Sequence, residues 1–265
     1  MVELTFRHGI AIQRLPARER VIVLSGLVGC AMLAWIYVLY MSWGMAHMDE
    51  ASLAMMPRMT NWGAIDLLLI LAMWAVMMAA MMLPSSIPMV LGFAALAHQR
   101  QAQALPYSKT SVFVLGYLAV WAGFSLLATF AQWGLLEARL VTPMMVSATR
   151  WLAGGLLIAA GVFQLTPLKH RCLTRCTSPL GFLLNEWRDG ALGAWTMGLR
   201  HGLFCLGCCG ALMALLFVFG VMNALWIAVL SAYVLLEKLL PRARWLPFAA
   251  GAVLIVWGFA VAAAM

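Results

Sequence analysis

VIVLSGLVGCAMLAWIYVLYMSW, residues 21–43, is a run of 23 residues without one charged side chain. A helix rises 1.5 Å per residue, so about 20 residues cross a hydrocarbon core roughly 30 Å thick. The run is longer than the roughly 7–15 residues of a signal-peptide core, and it reads as a retained first membrane span.

Working outward from it, comparable apolar segments recur at 62–83 with a continuation to 96, then at 110–133, 151–168, 195–219, 224–240 and 246–264. The expectation is an all-α, polytopic transmembrane helical bundle of about seven spans. Composition agrees: 65% hydrophobic and 10% charged residues lie far outside the range of soluble globular domains. The connections are short and there is no internal repeat. The chain therefore reads as an N-terminal arm, 1–20, followed by a single helical membrane domain, 21–265.

Basic residues orient the bundle, because cytoplasmic loops retain Lys and Arg. Arg7, Arg14, Arg18 and Arg20 precede the first span; Arg100 and Lys109, then Lys169, Arg171, Arg175 and Arg188, then Lys238, Arg242 and Arg244 occupy every second loop. Only Arg58, Arg139 and Arg150 fall on the other side. This predicts a cytoplasmic N-terminus and an outside C-terminus. The net charge of +8 follows from that topology and requires no nucleic-acid partner.

Chemistry concentrates in three places. KHRCLTRC, 169–176, sets Cys172 and Cys176 about one turn apart among Lys169, Arg171 and Arg175. HGLFCLGCC, 201–209, puts His201, Cys205, Cys208 and Cys209 on one helical face. Thiols are also ordinary buried packing groups; Arg200 within the same apolar span is harder to explain blandly, since it must pair, snorkel or meet water. The nearby Gly198, Gly202, Gly207 and Gly210 are explained by close helix packing.

The third place is MWAVMMAAMMLPSSIPM, 73–89, where Trp74, Met78, Met81, Met82, Ser85 and Met89 approach one face. Pro84 and Pro88 each remove a backbone donor, so a break in this helix is expected, with Ser85 and Ser86 as local replacements. Methionine is a common packing residue, but Met78, Met81 and Met82 lie beside the prolines, and thioethers are ligands that select Cu(I). Glu237, adjacent to Lys238, reads either as half of an interfacial ion pair or as an acceptor facing the thiols. The first loop adds His47 with Met45, Met48, Met55, Met56 and Met59 in irregular spacing, a weak signal for copper capture.

The blocks AMMLPSSIPM, QLTPLKHRCLTRCTSPL, CLGCC followed by ALM, VMNALW and the later EK together resemble the bacterial family of predicted metal-binding integral membrane proteins, a domain of unknown function. The resemblance spans roughly residues 60–240. It implies an inner-membrane protein with a metal site, carried onto Met82, Pro84, Lys169, Cys172, Cys176, Cys205, Cys208, Cys209, Met213, Asn223 and Glu237. Thr177 and Gly210 depart from the family pattern, which weakens anion binding near Cys176 and packing near Cys209.

The leading expectation is a soft-metal site in which Cys172, Cys176, Cys205, Cys208 and Cys209 supply thiolates and His201 or Met82 completes the shell. Cu(I) is favoured; Zn(II) and an iron–sulfur cluster also suit thiolates. The implied partners are the membrane, the metal ion, and another membrane protein or a metallochaperone. Two alternatives stand beside it: a membrane thiol–disulfide oxidoreductase using Cys205 and Cys208, and a scaffold subunit that binds no metal.

Overall fold

The computed structural model describes residues 15–47, 63–100, 106–141, 149–240, 243 and 245–264, and every regular element among them of helical length is α. The helices are α1 (Ala17–Ala46), α2 (Ala64–Arg100), α3 (Pro106–Glu137), α4 (Arg150–Leu165), α5 (Pro167–Cys176), α6 (Pro179–Glu186), α7 (Gly190–Met213), α8 (Leu216–Phe219), α9 (Ala224–Leu239) and α10 (Trp245–Ala263). Residues 1–14, which make up most of the proposed N-terminal arm, and the loop methionines Met48 to Met59 lie outside the described residues.

Each expected apolar segment is helical where it is described. Among the described residues five helices are long and apolar enough to cross a membrane, or six if α4 and α5 count as one bent span. α9, at 16 residues, is about a turn short of the roughly 20 residues that cross a hydrocarbon core. Large apolar side chains such as Leu33, Leu69, Leu127, Val256 and Phe259 are exposed on the outside of the bundle. An exterior of that kind suits lipid rather than water.

The expected break at Pro84 and Pro88 is not a gap in the helix. α2 runs through both prolines as one element of 37 residues. Hydroxyl groups gather on the carbonyls of the turn just before and at Pro84: Ser85 Oγ donates to Met82 O at 2.9 Å, Ser86 Oγ to Leu83 O at 2.8 Å, Tyr117 Oη to Met82 O at 3.2 Å and Ser231 Oγ to Met81 O at 3.4 Å. These bonds fall on the carbonyls beside Ala80 O, the one Pro84 leaves without its helical donor, and tie α2 at this level to α3 and α9.

The break lies instead in the fourth segment, where α4 and α5 meet at 66°. Thr166 caps α5 by accepting from Lys169 N, and Pro167 occupies the first helical position, which needs no N–H. The Thr-Pro pair therefore starts a new helix rather than continuing the old one. The bend carries Lys169, Cys172 and Cys176 back over α7.

Two seams of small residues hold the bundle. A Cβ on Gly154 would lie 2.8 Å from Gly258 O, and one on Gly161 would lie 2.8 Å from Gly251 O, so α4 and α10 touch backbone to backbone. A Cβ on Gly116 would lie 2.5 Å from Trp195 O, one on Gly198 would collide with Phe113 O, and one on Gly202 would meet Val120 at 2.8 Å. Phe113 meets His201 and Tyr117 meets Cys205 one turn further along both helices, so α3 and α7 are parallel. Where lipid surrounds the helices, such close van der Waals packing is the main source of association.

Candidate metal centre

α7 carries the thiols into the middle of the bundle. Cys205, Cys208 and Cys209 are each at most 1% exposed, and Cys176 on α5 is 6% exposed. Cys176 belongs to the same buried core as Cys205, Cys208 and Cys209, and α5 packs along α7. Gly207 makes this approach possible, because a Cβ there would stand 2.7 Å from Cys172 Sγ. Cys172 is less buried and sits at the rim.

The third wall is α2. Cys209 Sγ lies 3.8 Å from Met82 Sδ, a thiol–thioether contact between residues 127 positions apart in sequence. Cys205 Sγ is met on its other sides by Tyr117 Oη at 3.2 Å and Lys238 Nζ at 3.1 Å, and Lys238 also donates to Ser85 Oγ at 2.8 Å. An ammonium at that distance offers compensating charge to a thiolate or a metal–thiolate. Cys208 and Cys209 donate to the carbonyl of Cys205 at 3.1 and 3.0 Å, the usual resting bonds of helical thiols. Among the described residues no three His, Cys, Asp or Glu groups already stand in the arrangement of a metal shell. The donor set is nonetheless soft throughout, thiols with one thioether, which is the chemistry that selects Cu(I).

The remaining sequence candidates are distributed around this core. His201 is 1% exposed and stacks on Tyr117 at 5.3 Å and Phe113 at 6.1 Å, with Phe182 tilted across it at 5.9 Å. Neither of its ring nitrogens has a partner, so it adjoins the thiols through Tyr117 while its own polar atoms stay unused. Met78 and Met213 are fully buried in the same core. Pro84 lies in the hydroxyl-supported turn already described. Arg200 is half exposed and pairs with Glu186 away from the thiols. Asn223 caps α9, accepting from Leu225 N at 3.1 Å and Trp226 N at 3.4 Å.

Glu237 and Lys238 do not pair with each other. Glu237 Oε1 accepts from Lys169 Nζ at 2.5 Å, with side-chain exposures of 2% and 0%, and from Tyr233 Oη at 3.3 Å. Lys169 also donates to Gln164 Oε1, whose amide donates to Tyr233 Oη at 3.2 Å. This closed network ties α4, α5 and α9 together behind the thiols. Glu237 Oε2 lacks a hydrogen-bond partner, and the residue lines a cavity of about 160 Å³ together with His170, Thr174 and Thr177.

Sequence reasoning gave Lys238 no role beyond an ion pair with Glu237 and assigned none to Tyr117, Gln164 or Tyr233. For Lys238 the signal was available: neighbouring residues on a helix point about 100° apart, so if Glu237 faces one partner, Lys238 must face another. Tyr117, 88 positions from Cys205, carries no such signal.

No curated protein and no solved structure matches the chain. Residues 71–261, well over half of it, match the sequence profile of a copper-chaperone family, and that stretch contains Met82, both thiol segments, Lys169 and Glu237. The chain belongs to the copper chaperone family PpoB2.

Proposed function

We propose that this chain is an integral membrane protein that binds Cu(I) through the thiolates of Cys176, Cys205, Cys208 and Cys209, with Met82 as thioether and Cys172 at the rim, and hands it to another membrane protein or a metallochaperone. The observation that carries this reading is that sulfur-bearing side chains of α2, α5 and α7 share one buried core, with Met82 on Cys209 and Cys172 against Gly207. Soft donors without a neighbouring carboxylate favour Cu(I) over harder cations. Membership of a copper-chaperone family supports the choice of ion. Lys238 supplies local positive charge, Tyr117 and Ser85 hold it and Cys205 in register, and the Lys169–Glu237 pair keeps α5 on the bundle. The distribution of basic loops supports a bacterial inner-membrane setting with the N-terminus cytoplasmic.

The test is metal analysis of the purified full-length protein after anaerobic Cu(I) loading, beside Cys205→Ser and Cys209→Ser. Loss of bound copper in both variants is expected; unchanged copper content rejects these ligands. The Cys205–Lys238 contact equally suits a reactive thiol, so thiol–disulfide exchange is the second reading. Mass spectrometry of alkylated protein separates the two: a Cys205–Cys208 disulfide that cycles with a reductant favours exchange.

A further inference from the structure

Two contacts fix how α2 and α7 face each other across the interior. Met82 Sδ meets Cys209 Sγ at 3.8 Å, and the Trp74 ring packs on Phe217 with centroids 5.3 Å apart. Trp74 and Met82 are eight residues apart, as are Cys209 and Phe217, and the order is reversed between the two helices. The chain continues from α7 to Phe217 through hydrogen bonds from Ala214 N to Gly210 O at 3.2 Å and from Phe217 N to Ala214 O at 3.2 Å. The midpoint of this matched antiparallel stretch sets Met78 opposite Met213, each four residues from both contacts. Both are 0% exposed and belong to the core that holds the thiols.

Methionine filling a core is ordinary. Here the thioethers also extend a line of sulfur at helical spacing: Cys205, Cys209 and Met213 along α7, Met82 and Met78 along α2. Each step is about 6 Å of axial rise. On α3, Tyr117, Trp121, Ser125 and Gln132 follow the same direction, all at most 1% exposed, and Trp121 Nε1 has no partner.

The geometry points to a second soft-cation station, made by the thioethers of Met78 and Met213, one helical turn beyond the thiol cluster, so that Cu(I) passes along a sulfur ladder from Cys205 through Cys209 and Met82 to Met213 and Met78. This rests on the reading of the thiols as a Cu(I) site. The transfer is ligand exchange without redox: one copper–sulfur bond forms as another breaks, and copper stays Cu(I). The acceptor thioethers are neutral, so the second station binds more weakly than the thiolates and releases its ion more readily.

The experiment is anaerobic Cu(I) titration of the detergent-purified full-length protein against a chromogenic Cu(I) chelator. The wild type should hold two equivalents, one tight and one weaker. Met78→Leu with Met213→Leu, which conserves apolar volume, should keep the tight equivalent and lose the weaker one. The single exchanges, milder for folding, should each weaken the second equivalent at least tenfold. Retention of both equivalents by the double variant, or one equivalent in the wild type, overturns the ladder alone. A Cys205→Ser, Cys209→Ser protein that keeps the tight equivalent overturns the thiol reading and the ladder with it.

Discussion

Replacing one member of the Lys169–Glu237 pair should damage the protein more than replacing both. The two side chains are 0% and 2% exposed and 2.5 Å apart. Glu237→Leu leaves the Lys169 ammonium with Gln164 and the face of the Tyr233 ring and no counter-charge, and removing one partner of such a buried pair costs about 3–5 kcal/mol. Glu237→Gln keeps an acceptor for the ammonium and should fall near the lower end of that range. In Lys169→Met with Glu237→Leu no charge is stranded, and Gln164 and Tyr233 still bond each other at 3.2 Å. The double variant should therefore lose less than the sum of the singles, with a coupling energy of about 2 kcal/mol or more. Equilibrium unfolding in detergent micelles compares the unaltered protein, the singles Lys169→Met, Glu237→Leu and Glu237→Gln, and the double variant. Because the pair anchors α5, the single variants should also raise the alkylation rate of Cys176, which is 6% exposed at rest. Single losses below about 1 kcal/mol, or strict additivity, would refute this account of the network.

Three further outcomes follow from particular contacts. Gly198→Ala drives a Cβ into the Phe113 carbonyl and should cost several kcal/mol or prevent folding, whereas Gly123→Ala, with nothing within 4 Å, should be neutral or gain up to about 1 kcal/mol of helix propensity; thermal melting of the two compares them directly. Asn223→Ala removes the cap of α9 and should cost about 1 kcal/mol while leaving copper stoichiometry unchanged, which metal analysis checks against a ligand role. Gln132→Leu strips the acceptor from Trp74 Nε1, 2.6 Å away, and should cost about 1–3 kcal/mol, seen as a lowered unfolding midpoint and altered Trp fluorescence.

Most of the helical architecture was legible in the sequence because span length is a simple physical requirement: every apolar run of sufficient length became a helix. The position of the break was not read correctly, although its signal was present. Attention went to Pro84 and Pro88, where missing donors looked disruptive, yet hydroxyls from Ser85, Ser86, Tyr117 and Ser231 serve the adjoining carbonyls and α2 continues. Thr166-Pro167 carried the stronger message, since a capping hydroxyl followed by proline begins a helix, and here it turns the chain by 66°. The distinction is whether a proline falls inside a helix that neighbouring helices hold on either side, or follows a side chain that caps a fresh one.

The site divides along the same line between what spacing contains and what only assembly supplies. Spacing placed Cys205 and Cys209 on one face, and their neighbourhood in the folded chain agrees with that. Spacing says nothing about which side of α7 receives α5. Gly207, against which Cys172 packs with no room for a Cβ, and the charge pair that holds α5 from behind set that side. The adjacent residues Glu237 and Lys238 show how one turn of α9 serves both tasks. With side chains about 100° apart on the helix, one faces the anchoring network and the other faces Cys205, so the carboxylate fixes the helix that brings Cys176 while the ammonium supplies charge to the sulfur it meets. Exchanging the two residues would put a carboxylate against the thiols and an ammonium against Lys169. Such a Glu237→Lys, Lys238→Glu protein keeps composition and net charge, yet it should lose both the anchor and the copper, an outcome that a purely interfacial ion pair between the two residues would not produce.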